Sequence, residues 1–199
     1  MRVVLGLGNP GEEYRHTRHN VGFRVLERLA GELGVKIARR RFRSLVAEVR
    51  MGDDKVLLAC PQTYMNESGR AARAAVDFLS LEPAGLLVVC DDFHLPLGRL
   101  RARSDGSAGG HHGLESIIRE LGTGEFPRLR LGIGECSGDS VAYVLGRFSR
   151  AEQAALEPAV ARAALAVRVW VEKGMEACMN QFNAGTAEPK GPAQSEGAT

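Results

Sequence analysis

The order of apolar and polar positions divides the chain into buried strands and amphipathic helices. Arg2-Val3-Val4-Leu5-Gly6-Leu7-Gly8 is an almost unbroken apolar run, as expected of a strand covered on both faces. Gly8, Pro10 and Gly11 stop it and present the amide of Asn9 just past its end. From Val21 to Leu33 the apolar set Val21, Val25, Leu26, Leu29, Ala30 and Leu33 falls at helical spacing, with Asn20 placed to cap and Gly34 to terminate. Arg39-Arg40-Arg41 and Arg43 read as a solvated loop. Leu45, Ala47, Val49 and Met51 alternate with polar residues, and Gly52-Asp53-Asp54 turns them into Lys55 to Cys60, which predicts a hairpin. A helix is expected from about Asn66, marked by Ala71, Ala72, Ala75, Val76 and Leu79, and a strand over Leu86 to Cys90. Strand, helix and strand in that order imply a crossover between parallel strands that end on one edge of the sheet.

Arg99, Arg101 and Arg103 alternate with Leu100 and Ala102, so a strand here would carry its guanidinium groups on one face. Ser104 to Gly110 is a glycine-rich loop, and Leu114, Ile117, Ile118 and Leu121 form a helical stripe with His111 and His112 at its start. Arg128 to Gly134 predicts another strand, with Arg130 between Leu129 and Leu131. Ser149 to Glu152 is a capping box for a long C-terminal helix in which Pro158 should kink or restart the chain. The fold class that follows is α/β: one domain over 1–183, with a mixed, mostly parallel central sheet and helices on both faces. Residues 184–199 lack apolar periodicity and read as a disordered tail.

Composition narrows this little further. A chain of 199 residues with 44% hydrophobic content supports one domain with a substantial core. The formal charge of +2 is near neutral and argues neither for nor against nucleic acid, although 22 of the 26 basic residues are Arg, the better phosphate fork. Cys60, Cys90, Cys136 and Cys178 form no Cys-x-x-Cys pair, and no signal peptide or long apolar run is present. These features point to a reduced, cytoplasmic protein that does not enter a membrane. Cys90, one residue from Asp91, is either a thiol nucleophile or a small hydrophobe at the end of a buried strand.

Candidate chemistry starts at Leu5 to Asn20. Gly6-x-Gly8-x-x-Gly11 has the letters of a dinucleotide fingerprint, but that motif needs a helix opening at the glycines, and the first amphipathic run begins only at Val21. His16-x-x-His19, Asp91-Asp92 and His111-His112 could gather metal ligands but match no zinc spacing, and no Gly-x-Ser-x-Gly elbow is present. The words GLGNPGEEY, TRHNVGF, PQTYMNESG, VCDDFHLPLGRLR, GSAGGHHGLESII, FPRLRLGIG and YVLGRF, in that order over about residues 1–183, resemble bacterial peptidyl-tRNA hydrolase.

The resemblance implies hydrolysis of the ester joining a peptide to the 3′ end of tRNA, without a cofactor or metal. It implies His19 as general base and Asp91 as the carboxylate that orients it. Asn9, Tyr14, Met65, Asn66, His111 and His112 would contact substrate, while Arg103 and Arg130 would hold tRNA phosphate, with Arg101 assisting from the strand face it shares with Arg103. The partner is then peptidyl-tRNA, and the chain is expected to be a monomer. The residue types suit the task, since ester hydrolysis needs an activated water and donors for an oxyanion. Each also has a plainer reading: His19 as a surface residue, Asn20 and Asn66 as caps, Asp91 as a strand end and Met65 as packing. The chain departs from the family's words at Cys60, Glu67, Cys90, His94 and His112. At His112 a titratable ring replaces a side-chain amide. The rival expectation is an RNA-binding relative on the same scaffold that has lost turnover.

Overall fold

The computed structural model describes residues 1–184. Seven strands form one sheet in the order β2-β3-β4-β1-β5-β7-β6. They are β1 (Arg2–Gly6), β2 (Arg39–Arg41), β3 (Ser44–Met51), β4 (Asp54–Pro61), β5 (Leu86–Asp92), β6 (Leu100–Arg103) and β7 (Arg128–Gly132). The centre, β4-β1-β5-β7, is parallel, and β2, β3 and β6 extend it with antiparallel pairings. The helices are α1 (Val21–Glu32), α2 (Ser68–Leu79), α3 (His112–Leu121), α4 (Ser140–Leu145) and α5 (Arg150–Phe182).

Strand alternation sends Val4, Leu87, Val89, Leu129 and Leu131 to one face, where they meet α1 and α5. Val3, Leu5, Leu86, Val88 and Cys90 go to the other, where they meet α2 and α3. Central strands apolar on both sides are what a sheet covered by two helical layers requires, so the expected mixed α/β architecture is the observed one. The final residues of β1, β4 and β5 therefore share an edge, and the crevice beyond such an edge is where open α/β sheets bind ligands.

Three expectations need correction. Arg39–Arg41 is not a loop but an edge strand paired with Val46, Leu45 and Ser44. Its polar sequence hid it, since an edge strand with an exposed face carries no apolar alternation. Pro158 does not interrupt α5; the backbone departs from helical geometry at Gly174 instead (φ 84°, ψ 176°). Proline removes one bond to the carbonyl four residues earlier, and Ala154 is exposed, so water can satisfy that group. Asn20 makes no capping bond to α1, because its side chain is used elsewhere. The C-terminal tail expected over 184–199 lies outside the described residues apart from Ala184. No helix among the described residues is long and apolar enough to cross a membrane.

Candidate active site

The first two glycines of the Gly-x-Gly-x-x-Gly stretch serve packing. A Cβ on Gly6 would lie 2.5 Å from the carbonyl oxygen of Gly22, and one on Gly22 would lie 2.4 Å from the amide of Leu7. A Cβ on Gly8 would meet the ring of Phe23 at 2.9 Å. Bare backbone lets α1 press directly onto β1, and the one-turn 3-10 helix Arg18–Asn20 that precedes α1 lies against β5. No helix opens at the glycines themselves, so the nucleotide reading has no structural support here.

Asp91 and Asp92 are the last two residues of β5, which runs two residues past the expected end at Cys90. Asp91 is 2% exposed, and its Oδ1 receives two imidazoles: His19 Nδ1 at 2.8 Å and His111 Nε2 at 3.0 Å. His111 is also the N-cap of α3, its Nδ1 accepting from the amides of Gly113 (3.1 Å) and Leu114 (3.3 Å). Those two bonds require a lone pair on Nδ1, so the proton of His111 sits on Nε2 and donates to Asp91. The same logic puts a proton on Nδ1 of His19 and leaves Nε2 as the free base. Burial alone would raise the Asp91 carboxyl, but the two imidazoles and their hydrogen bonds override it and hold it well below the usual carboxylate range. Its second oxygen, Oδ2, is buried and has no partner among the described residues.

Asn9 faces this group from the end of β1. Its Oδ1 accepts from the Met65 amide at 2.7 Å, which fixes the flip of the side chain and makes Nδ2 the donor left for the cleft. Asn20 holds the backbone beneath it, with Oδ1 accepting from Asn9 N and Nδ2 donating to Asn9 O, both at 2.9 Å. The residue read as a helix cap is thus a clamp on the Asn9 turn. Nothing but its position beside His19 could have signalled that role.

A cleft of about 430 Å³ opens over these groups. Asn9, His19, Met65, Asn66, His111 and His112 all line it, as does Asp91. Met65 is buried and Asn66 is exposed at the rim, as is His112. Tyr14 does not reach the wall; it stacks edge-on against Tyr64, which does (6.5 Å, 85°). Sequence reasoning missed Tyr64 and the opposite wall of Val141, Val144 and Leu145 from α4. A six-residue helix is too short to leave a periodic signal.

Arg101, Arg103 and Arg130 come together in a second concavity of about 520 Å³ on the β7-β6 side of the sheet. Arg101 is paired with Arg130 across the ladder, and Arg103 with Arg128. Arg101 and Arg103 are exposed. Arg130 is partly committed: Nη1 lies 3.2 Å from Asp92 Oδ2, and Nη2 donates to the carbonyls of Ser107 (3.1 Å) and Ala108 (3.4 Å). Arg128, which sequence reasoning passed over, is buried and staples the glycine-rich loop through the carbonyls of Gly106, Ser107 and Gly124.

Two other chemistries find no support. Cys90 is wholly buried, and burial, reinforced by Asp91, pushes its thiol far above the range in which a thiolate forms. His19, Asp91 and His111 offer three ligand atoms within 4.8 Å of one another. Yet both nitrogens point at one carboxylate oxygen at hydrogen-bond distance, and each needs a proton where a metal would need a lone pair.

A sequence model of the family described as peptidyl-tRNA hydrolase matches residues 3–190. The chain is similar to a peptidyl-tRNA hydrolase of Desulforamulus reducens, 46% identical over 199 residues, covering 100% of this chain and 97% of the relative. It is similar to another from Carboxydothermus hydrogenoformans, 50% identical over 186 residues, covering 93% and 100%. Among solved structures it resembles the crystal structure of peptidyl-tRNA hydrolase from Acinetobacter baumannii, with a TM-score of 0.87 and 33% identity over 92% of this chain and 95% of that one.

Proposed function

The chain belongs to the peptidyl-tRNA hydrolase family, and on that premise we propose that its cleft hydrolyses the ester of peptidyl-tRNA with His19 as general base and Asp91 as its orienting carboxylate. The observation that carries the assignment of roles is the hydrogen bond from His19 Nδ1 to buried Asp91, which leaves Nε2 as a basic nitrogen at the cleft, backed by a carboxylate. Water attacks the acyl carbon while Nε2 takes its proton, and the carboxylate stabilises the imidazolium that forms. The tetrahedral oxyanion accepts from Asn9 Nδ2, with the Asn66 amide at the rim as a second donor. Collapse breaks the bond to the ribose oxygen, which leaves with the proton held by His19. Free peptide and free tRNA result, and the tRNA returns to use. Every proton is supplied by water or returned by His19, so the reaction needs no cofactor.

The tRNA body is assigned to Arg101 and Arg103, with Arg130 completing the surface. Tyr14 supports Tyr64 at the rim, and Met65 forms the floor beneath the acyl group. His112 contacts substrate through its ring at the rim of the cleft. We further propose that the protein acts as a monomer in the cytoplasm, where tRNA is charged and used. The direct test is peptide release from N-acetylaminoacyl-tRNA. The wild-type chain should turn over without added metal, and His19→Ala should lose about 10² to 10⁴-fold, the usual contribution of a positioned base. Tight tRNA binding without turnover in the wild type would instead make the chain a binding relative.

A further inference from the structure

Arg18 stands beside His19 in the turn that carries the base, yet its side chain runs the other way, into the segment that builds the opposite wall of the cleft. Nη2 donates to both carboxylate oxygens of Glu152, at 2.9 and 3.0 Å, and Nη1 donates to the carbonyl of Arg147. The guanidinium lies 4.6 Å from the ring centroid of Tyr143 and 5.0 Å from that of Phe148. The main chain joins as well: the Arg18 amide donates to Gly146 O at 2.9 Å, and Thr17 bridges to Arg147. A Cβ on Gly146 would lie 3.3 Å from Nη1, so the group packs closely over this backbone. With its side chain only 11% exposed, Arg18 is not a solvent-screened surface residue.

The wall it holds has its own chemistry. Tyr143 belongs to α4, and its neighbours Val141, Val144 and Leu145 face the cleft across from His19. Val141 is 52% exposed and Leu145 is 39% exposed, so apolar surface in the reaction cleft is left uncovered by the protein. Two parts of an ester substrate must lie within a side chain's length of His19, the acyl residue and the terminal ribose, and of these the hydroxyl-bearing sugar is polar, so the side chain of the acyl residue is the group suited to an apolar wall. Glu152, at the far end of the clamp, is held in place by the capping box of α5, where its Oε2 accepts from Ser149 N at 2.7 Å.

We propose that Arg18 is a positioning residue that locks α4 relative to His19, making Val141, Val144 and Leu145 a fixed recognition surface for the apolar side chain of the amino acid esterified to the tRNA. One two-residue step thereby sets both the base and the wall it works against: His19 is tied to β5, Arg18 to α4 and α5. The inference rests on the esterase reading above.

The test compares kcat and KM for N-acetylphenylalanyl-tRNA and N-acetylglycyl-tRNA in the wild type, Arg18→Lys and Glu152→Gln. Lysine keeps the charge but cannot fork onto a carboxylate, and glutamine keeps the capping box while removing the ion pair. The wild type should favour the phenylalanyl ester about tenfold, within the range an apolar pocket gives for added hydrocarbon. Both variants should shrink that preference to under about threefold, chiefly by raising KM for the phenylalanyl ester, with glycyl turnover changed less than about twofold. Equal losses on both substrates, an unchanged preference, or a wild type indifferent to the side chain would each overturn the proposal. Should Arg18→Lys fail to fold, Glu152→Gln decides alone. A wild type that hydrolyses neither ester would overturn the esterase reading itself.

Discussion

Each imidazole on Asp91 has its second nitrogen committed differently, and that difference divides their roles. His111 spends Nδ1 on the amides of Gly113 and Leu114, so it can only donate to the carboxylate and has nothing left for a proton from water. His19 spends Nδ1 on Asp91 and keeps Nε2 free. Replacing Asp91 with Asn should therefore cost about 10² to 10⁴-fold in turnover, because an amide can present a donor to His19 Nδ1 and favour the wrong tautomer. His111→Ala should remove both a cap and a restraint on Asp91, costing about 0.5 to 2 kcal/mol in stability by urea titration. The lowered Asp91 carboxyl has a stability consequence with a definite sign. A group depressed on folding contributes fully above its ordinary value and loses that contribution as pH falls through it toward the folded value. Wild type should thus lose stability more steeply than Asp91→Asn as pH falls below about 4, the ordinary aspartate value. Parallel slopes from paired urea titrations at about pH 7 and about pH 3 would contradict the pairing.

At the scale of elements, the site depends on how closely α1 lies on β1. Gly22→Ala would drive a Cβ into the Leu7 backbone, where nothing flexible can yield. Helix and strand would have to separate, carrying His19 away from Asp91; the expected cost is about 1 to 3 kcal/mol or more, with loss of turnover. A denaturation midpoint and an activity assay equal to wild type would show that the close approach does not position the base. Elements with strong periodicity, such as α1 and the central strands, were legible in the sequence to within a residue or two. Arg39–Arg41 and α4 were not, because a polar edge strand and a six-residue helix carry too few buried positions to mark a period. The break at Gly174 was likewise misplaced onto Pro158: a proline signal is local, while the departure at Gly174 uses a positive φ that glycine adopts without penalty. The residues of the site were legible only as words within a family resemblance. What they do to one another, above all Asn20 clamping Asn9 and His111 sharing Asp91, depends on contacts between distant segments that no spacing encodes.

For the whole molecule, the sheet edge brings two concavities to one protein: an ester cleft at the ends of β1 and β5, and an arginine-lined hollow toward β6 and β7. Asp92 joins them, bonded through Oδ2 to Arg130 and next in sequence to Asp91. Arg101→Ala and Arg103→Ala should each weaken tRNA binding and flatten its dependence on log salt by roughly 0.7 to 0.9, one phosphate contact apiece. Cleavage of a short substrate lacking the tRNA body should be left intact. Arg130→Ala should do more than this, because it also releases the carbonyls of Ser107 and Ala108 in the loop leading to His111. Unchanged slopes and affinities in both single variants would move the tRNA body elsewhere, with Arg39 to Arg43 the next surface to test.

Joint action of His19 and Asp91 on the ester leaves a kinetic signature. Single-turnover hydrolysis of N-acetylaminoacyl-tRNA by wild type, His19→Ala, Asp91→Asn and the double variant, with tRNA affinity followed in parallel, tests it most directly. Coupled action gives large losses in rate with affinity nearly unchanged, and a double variant scarcely slower than His19→Ala, since an orienter has nothing to orient once the base is gone. A double variant showing the full product of the two single losses, or His19→Ala turning over near the wild-type rate, would contradict it.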